Sequence, residues 1–200
     1  VVGRRARSAQ LRRRDAMVEC QAPQHLCAAA RRVVLAGVPR LRLEEAQRVL
    51  AALPAFLKEI TASTARPSLL KLVRFTILTA RHPQECRLAC WEQIDQDAAV
   101  WRFPSMQREG ARQIEVPLHD ALLELLKEAA ALRVPSAEDW VFPNPVRPGE
   151  PYGNTAADKI PARFGYELNM LDVRRAYEMW STTSSLSRLD PLDWHRLLLS

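Results

Sequence analysis

Residues 69–95, LLKLVRFTILTARHPQECRLACWEQID, decide the fold. Leu69, Leu70, Leu72, Val73, Phe75, Ile77 and Leu78 are too densely apolar for a surface helix, so the first half of the stretch is predicted to run through the core. Pro83 suits the first turn of a helix and restarts the chain into a predicted amphipathic helix carrying Glu85, Leu88 and Trp91. Arg81 falls at the break between the two. A guanidinium fixed beside a buried scaffold is well suited to a phosphate.

Working outward, Leu43, Ala46, Val49, Leu50 and Leu53 share one face of a predicted helix. Pro54 then opens a further helical segment through Ile60, and Thr61 to Ser68 reads as a loop. On the C-terminal side, Val100–Phe103 and Gln113–Val116 are short strand candidates joined by the turn-rich Pro104 to Arg112, which predicts a β-hairpin. Asp120 suits the cap of an amphipathic helix through Leu132, with Leu122, Leu123, Leu125 and Leu126 as its apolar side. Pro135 to Gly153 reads as a surface loop around the apolar Trp140-Val141-Phe142. Asn154 or Thr155 could cap a helix to Phe164, Asp172 is expected to open one carrying Arg174, and Asp190-Pro191 to start the last. The predicted class is mainly α with a small antiparallel β-sheet (α+β). Residues 1–40 form a basic N-terminal segment ending at Gly37-Val38-Pro39, and 41–200 the main domain.

The 200 residues carry 29 Lys+Arg against 23 Asp+Glu, a formal charge of +6 and a pI near 9.5, which favours a polyanionic partner. The excess is arginine-rich: Arg4, Arg5, Arg7, Arg12, Arg13 and Arg14 crowd the first segment, and arginine forks grip phosphate oxygens in pairs. A solvated tail is the bland alternative for those six positions. Cys20, Cys27, Cys86 and Cys90 lack the spacing of a metal site and read as reduced thiols, Cys86 and Cys90 one helical turn apart. No apolar run approaches a membrane span. The chain begins Val-Val-Gly without a methionine, which suggests a processed, trimmed or partial product.

The pattern resembles the tyrosine recombinase (phage integrase) family, whose catalytic domain carries T-G-x-R-x-x-E, a hydrophobic helix and W-x-x-I-D. Here these read Thr79-Ala80-Arg81-His82-Pro83-Gln84-Glu85 and Trp91-Glu92-Gln93-Ile94-Asp95. Val100-Trp101-Arg102-Phe103-Pro104, Val116-Pro117-Leu118 and Trp140-Val141-Phe142-Pro143 continue the likeness in family order, closest to integrases of satellite phages and genomic islands. It runs from about Leu53 to Ser200. It implies a catalytic-domain-like fold, a double-stranded DNA partner, self-association on paired DNA sites, no cofactor or metal, and a bacterial cytoplasmic, nucleoid-associated location. Residues 1–40 would be a remnant of the family's core-binding domain.

Transesterification at a phosphodiester needs a nucleophile, cations for the phosphorane and an acid for the leaving oxygen. The resemblance assigns Arg81 to the family's first arginine and Arg174, in Leu171-Asp172-Val173-Arg174-Arg175, to the second, from a motif usually read H-x-x-R. The alternative makes Arg81 a helix-terminal partner of Glu85 and Arg174 a surface charge. Glu85 is read as structural. Counting back from Val116-Pro117-Leu118 sets Glu109 at the family's hairpin lysine. Arg108 is adjacent and would reach phosphate after a one-residue shift, though guanidinium is a poor general acid. Arg112 and Arg175 are further DNA-backbone contacts. The histidine of H-x-x-R falls on Leu171. His82 and His119 could substitute but read better as loop or cap residues, and Tyr177 as a core contact. Ser200 falls at the histidine of the family's L-x-H, with the tyrosine nucleophile expected beyond it.

The resemblance therefore implies an integrase catalytic-like domain that holds DNA but, lacking acid and nucleophile, does not cleave unaided: a pseudoenzyme of a mobile genetic element. The alternatives are a fragment of an active integrase and a DNA-binding or protein-interaction module without recombinase chemistry.

Overall fold

Helix α1 (Leu43–Ala62) forms because Ala46, Val49, Leu53, Phe56, Leu57 and Ile60 recur every three or four positions and are all buried. The computed structural model describes residues 41–104, 113–133, 139–147 and 149–184, together with Trp194 and Leu198. The expected restart at Pro54 does not occur, for Pro54 lies inside α1. A mid-helix proline costs about 3 kcal/mol. Burying Leu53, Phe56 and Leu57 around it returns about 1.5–3 kcal/mol each, so packing outweighs the lost hydrogen bond. The loop that follows is correspondingly shorter than the predicted Thr61 to Ser68.

Helix α2 (Pro67–Thr79) is the core element, with Ser68, Leu69, Leu70, Leu72, Val73, Phe75, Thr76, Ile77 and Leu78 buried on nearly all sides. The predicted amphipathic helix after it is much shorter. Helix α3 spans only Pro83–Arg87, Cys90 leaves it to bridge Trp140, and Trp91–Gln93 form a 3-10 turn. Cys86 and Cys90 are therefore not one turn apart on a helix, although both are buried.

Strands β1 (Ile94–Asp95), β2 (Val100–Pro104) and β3 (Gln113–Pro117) make an antiparallel sheet in that order. The hairpin was legible, whereas the two-residue β1 was too short to show a period. Trp101 and Phe103 alternate inward and stack at 4.1 Å, and Phe75 of α2 meets Trp101 at 5.0 Å and Phe142 at 5.2 Å. Arg102, on the other face, bonds Asp95 and Glu115. Helix α4 (Asp120–Ala130) buries Leu122, Leu125, Leu126 and Ala129; its cap position is His119 rather than Asp120, it stops before Leu132, and Leu123 is only partly buried.

Turns replace the expected helix start at Asn154 or Thr155, so helix α5 (Lys159–Arg163) begins after Asp158. Helix α6 (Met170–Ser184) opens before Asp172, because the Asn169 carboxamide oxygen takes the Asp172 N–H at 2.8 Å and acts as the cap. Helix α6 packs on α1 and α2. Trp194 closes this side: its indole N–H donates to the Ile77 carbonyl at 3.2 Å, and its ring meets Tyr177 at 5.0 Å and Trp180 at 5.5 Å. The basic segment 1–40, Arg108, Arg112 and the helix start expected at Asp190-Pro191 lie outside the described residues.

Candidate functional site

The chain leaves α2 through Ala80, whose φ of 49° lies in the left-handed region and turns the backbone out of the core. Arg81 comes next. Its Nε and Nη2 donate to the two oxygens of Glu85 at 3.1 and 3.3 Å, and its guanidinium lies 5.5 Å from the centre of the Phe103 ring. The buried Glu85 carboxylate also accepts the backbone N–H of His82 at 3.2 Å. Glu85 thereby joins the Arg81 side chain to the His82 backbone. Phe103 was not anticipated, although its inward place on β2 follows from the strand's alternation.

His82 occupies the cap position of α3, where Nδ1 accepts the Gln84 N–H at 3.2 Å. With Nδ1 accepting, a neutral imidazole carries its proton on Nε2. Burial is the largest cause holding the His82 pKa below its ordinary value, followed by the nearby Arg174 charge; Arg81 acts in the same sense, and Glu85 and Asp158 oppose it. His82 also lines a cleft of about 420 Å³ together with Asn154, Asp158, Asn169, Leu171 and Arg175.

Across that cleft runs the first turn of α6. Arg174 Nε donates to Glu178 at 3.0 Å, and Arg175 Nη1 to Asp172 at 2.9 Å. Each guanidinium keeps one buried nitrogen without a partner, Nη1 of Arg174 and Nε of Arg175. Asp158 is committed elsewhere by one oxygen, which accepts the Met170 N–H at 3.1 Å. Tyr177, one turn beyond Arg174, is half-buried and packs against the core; burial raises its pKa and the Arg81 charge opposes this.

Arg81, His82 and Arg174 are therefore brought into one electrostatic neighbourhood, and two expectations change. Laid position by position over Thr79–Glu85, T-G-x-R-x-x-E puts its glycine on Ala80 and its arginine on His82, not on Arg81. The positive φ at Ala80 fits a glycine position, and it is His82 rather than Arg81 that lines the cleft with Leu171. Arg81 is turned instead toward Glu85 and Phe103. His82, expected as a loop or cap residue, is a cap and a cleft residue at once. A larger concavity of about 880 Å³ lies at the sheet edge, lined by Glu92, Asp95, Asp97 and Arg102. Its carboxylates and the already paired Arg102 make it a poor host for phosphate.

No protein-family model matches the sequence. Prophage integrase IntA of Escherichia coli (strain K12) is 27% identical over 116 residues, which cover 56% of this chain and 27% of that protein. The chain thus matches little more than a quarter of this relative's length. Among solved structures, the Tn1549 transposon integrase in complex with transposon right end DNA superposes with a TM-score of 0.53 at 11% identity, over 84% of this chain and 60% of that one. The same integrase with a circular intermediate DNA gives 0.50 at 8%, over 83% and 60%. XerA recombinase gives 0.48 at 14%, over 82% and 55%. At such identities the structural likeness is one of fold.

Proposed function

We propose that this chain, which shares its fold with the Tn1549 transposon integrase and a stretch of 27% identity with prophage integrase IntA, is a tyrosine-recombinase catalytic-like domain that holds double-stranded DNA by the sugar-phosphate backbone, as part of an integrase acting in DNA integration and recombination. The observation that carries this reading is the convergence of three guanidiniums near His82: Arg175 lines the cleft, the charges of Arg174 and Arg81 act on the His82 ring, and Arg174 and Arg175 each keep one buried nitrogen unpartnered. A phosphate oxygen would satisfy such donors with charge-assisted hydrogen bonds. The Tn1549 integrase, which shares the fold, is described in complex with DNA. Arg108 and Arg112 enter the proposal on sequence alone. Leu171 offers no proton at the head of α6, so holding phosphate, rather than proton transfer, is the role these residues support.

Binding of a fluorescent duplex of arbitrary sequence, followed by anisotropy against salt, tests the reading. The affinity is expected to fall steeply with salt, and Arg174→Gln or Arg81→Gln should each weaken binding and lower the log–log salt slope by about 1. Affinity and slope unchanged in both variants, with their melting curves intact, would refute the clamp.

A further inference from the structure

We propose that phosphate binding in this cleft is coupled to proton uptake by His82, the imidazole being neutral in the free protein and cationic when a DNA phosphate is in place. The inference rests on the DNA-backbone reading and adds to it the group that makes the contact conditional.

His82 stands where the recombinase motif has an arginine, so a titratable ring replaces a permanently charged fork. It lines the same cleft as Arg175 and Leu171, and Leu171 can neither donate nor accept a proton. Nδ1 is occupied as acceptor of the Gln84 N–H at 3.2 Å. An imidazolium carries hydrogens on both nitrogens, so protonation must give up this cap; cap and charge exclude each other. The charged groups around the ring come from each neighbouring element. Arg81 follows α2, Glu85 lies in α3, Asp158 precedes α5, and Asp172, Arg174 and Arg175 lie on α6. Glu85 is engaged with Arg81, Asp172 with Arg175, and one oxygen of Asp158 with the Met170 N–H. Burial and the guanidiniums of Arg174 and Arg81 disfavour a cation at His82. A phosphate entering the cleft reverses that balance: it neutralises the guanidinium field and gives Nε2–H⁺ an anionic acceptor. The proton comes from solvent, and no bond to phosphorus is made or broken.

The sign follows from linkage. A group whose pKa is higher in the complex than in the free protein binds a proton as the complex forms, so affinity rises as pH falls through the bound pKa and levels off below the free one. Duplex affinity is measured from about pH 8 to about pH 6, and the ring C–H of His82 is titrated by NMR with and without the same duplex. In the wild-type chain the His82 pKa should rise on adding DNA, and affinity should tighten about tenfold for each unit of that rise. His82→Arg should bind tightly with little pH dependence. His82→Asn, which retains a capping oxygen, should bind weakly at either end of the range. An equal pH slope in all three proteins, or a His82 pKa unmoved by saturating DNA, overturns the proposal while leaving Arg174-dependent DNA binding standing. Absence of salt-dependent binding in all three overturns both.

Discussion

Arg81 and Glu85 clasp each other through two hydrogen bonds, at 3.1 and 3.3 Å, while the same carboxylate takes the His82 N–H at 3.2 Å. Glu85 is almost fully buried, with 3% of its side chain exposed, and the arginine retains 24%. The carboxylate therefore has protein donors in place of water on both oxygens. Its position at the turn ties three things together: the exit of α2, the start of α3, and the orientation of the His82 backbone.

Glu85→Ala should consequently be costly, because it strands a backbone N–H and a partly buried guanidinium together. The expected loss is about 3 kcal/mol in urea unfolding, the range for breaking one side of a buried pair. Glu85→Gln keeps one carbonyl acceptor and should lose roughly half as much. A loss in Glu85→Ala below about 0.5 kcal/mol would mean the clasp behaves as an exposed ion pair.

Ala80 offers a separate test of the turn. With φ at 49° its Cβ crowds the following carbonyl, a strain of about 1–2 kcal/mol that glycine does not feel. Glycine's greater freedom in the unfolded chain offsets part of the gain. Ala80→Gly should thus raise stability by up to about 1 kcal/mol, whereas Ala80→Val should lower it, since a β-branched side chain tolerates this conformation least. Equal or reversed effects in chemical denaturation would show that the turn is not held left-handed.

What the sequence made legible follows from signal strength. The apolar density from Leu69 to Leu78 marks a helix buried in the core and the alternation in Val100–Phe103 marks a strand, and the helix and hairpin stand where expected. Pro54 misled because local backbone chemistry argued for a break while burial of Leu53, Phe56 and Leu57 decided otherwise. Helix α3 was overextended because Leu88 and Trp91 keep a helical spacing, although the chain turns off at Cys90 to bridge Trp140, a pairing fifty positions away that no local pattern contains. At the site, Arg81 and His82 are adjacent cationic residue types, and residue type alone does not say which of the two faces the cleft. The φ of Ala80 and the cleft wall supply the register that residue type alone obscured.

Cys86 should be chemically silent. It is buried beside Thr79, whose hydroxyl lies 3.7 Å from its sulfur, and burial is the main cause pushing its pKa up to about 12. A raised thiol pKa means that the folded state favours the protonated form. The resulting stability is fully present below the unfolded pKa of about 9 and is lost as pH rises toward 12. Cys86→Ala should flatten that alkaline decline relative to wild type. A disulfide reagent at mildly alkaline pH should modify this position only once denaturant opens the core; rapid labelling of Cys86 in the native chain would contradict its burial.

His82 makes the opposite prediction on the acid side, in the absence of DNA. Its folded pKa is depressed, chiefly by burial and then by Arg174, so the unfolded chain takes up a proton more readily as pH falls below about 6.5. The neutral ring's contribution to stability is complete above that value and is lost as pH falls through the folded pKa. Part of the penalty is structural, since protonated Nδ1 can no longer accept the Gln84 N–H that starts α3. His82→Asn keeps an oxygen cap and cannot titrate. The difference in unfolding free energy between wild type and His82→Asn should therefore be constant at neutral and higher pH, then shift in favour of the variant below about pH 6. A difference that stays constant through the acid range would show that His82 titrates alike in the folded and unfolded chain, and that its surroundings impose no charge preference.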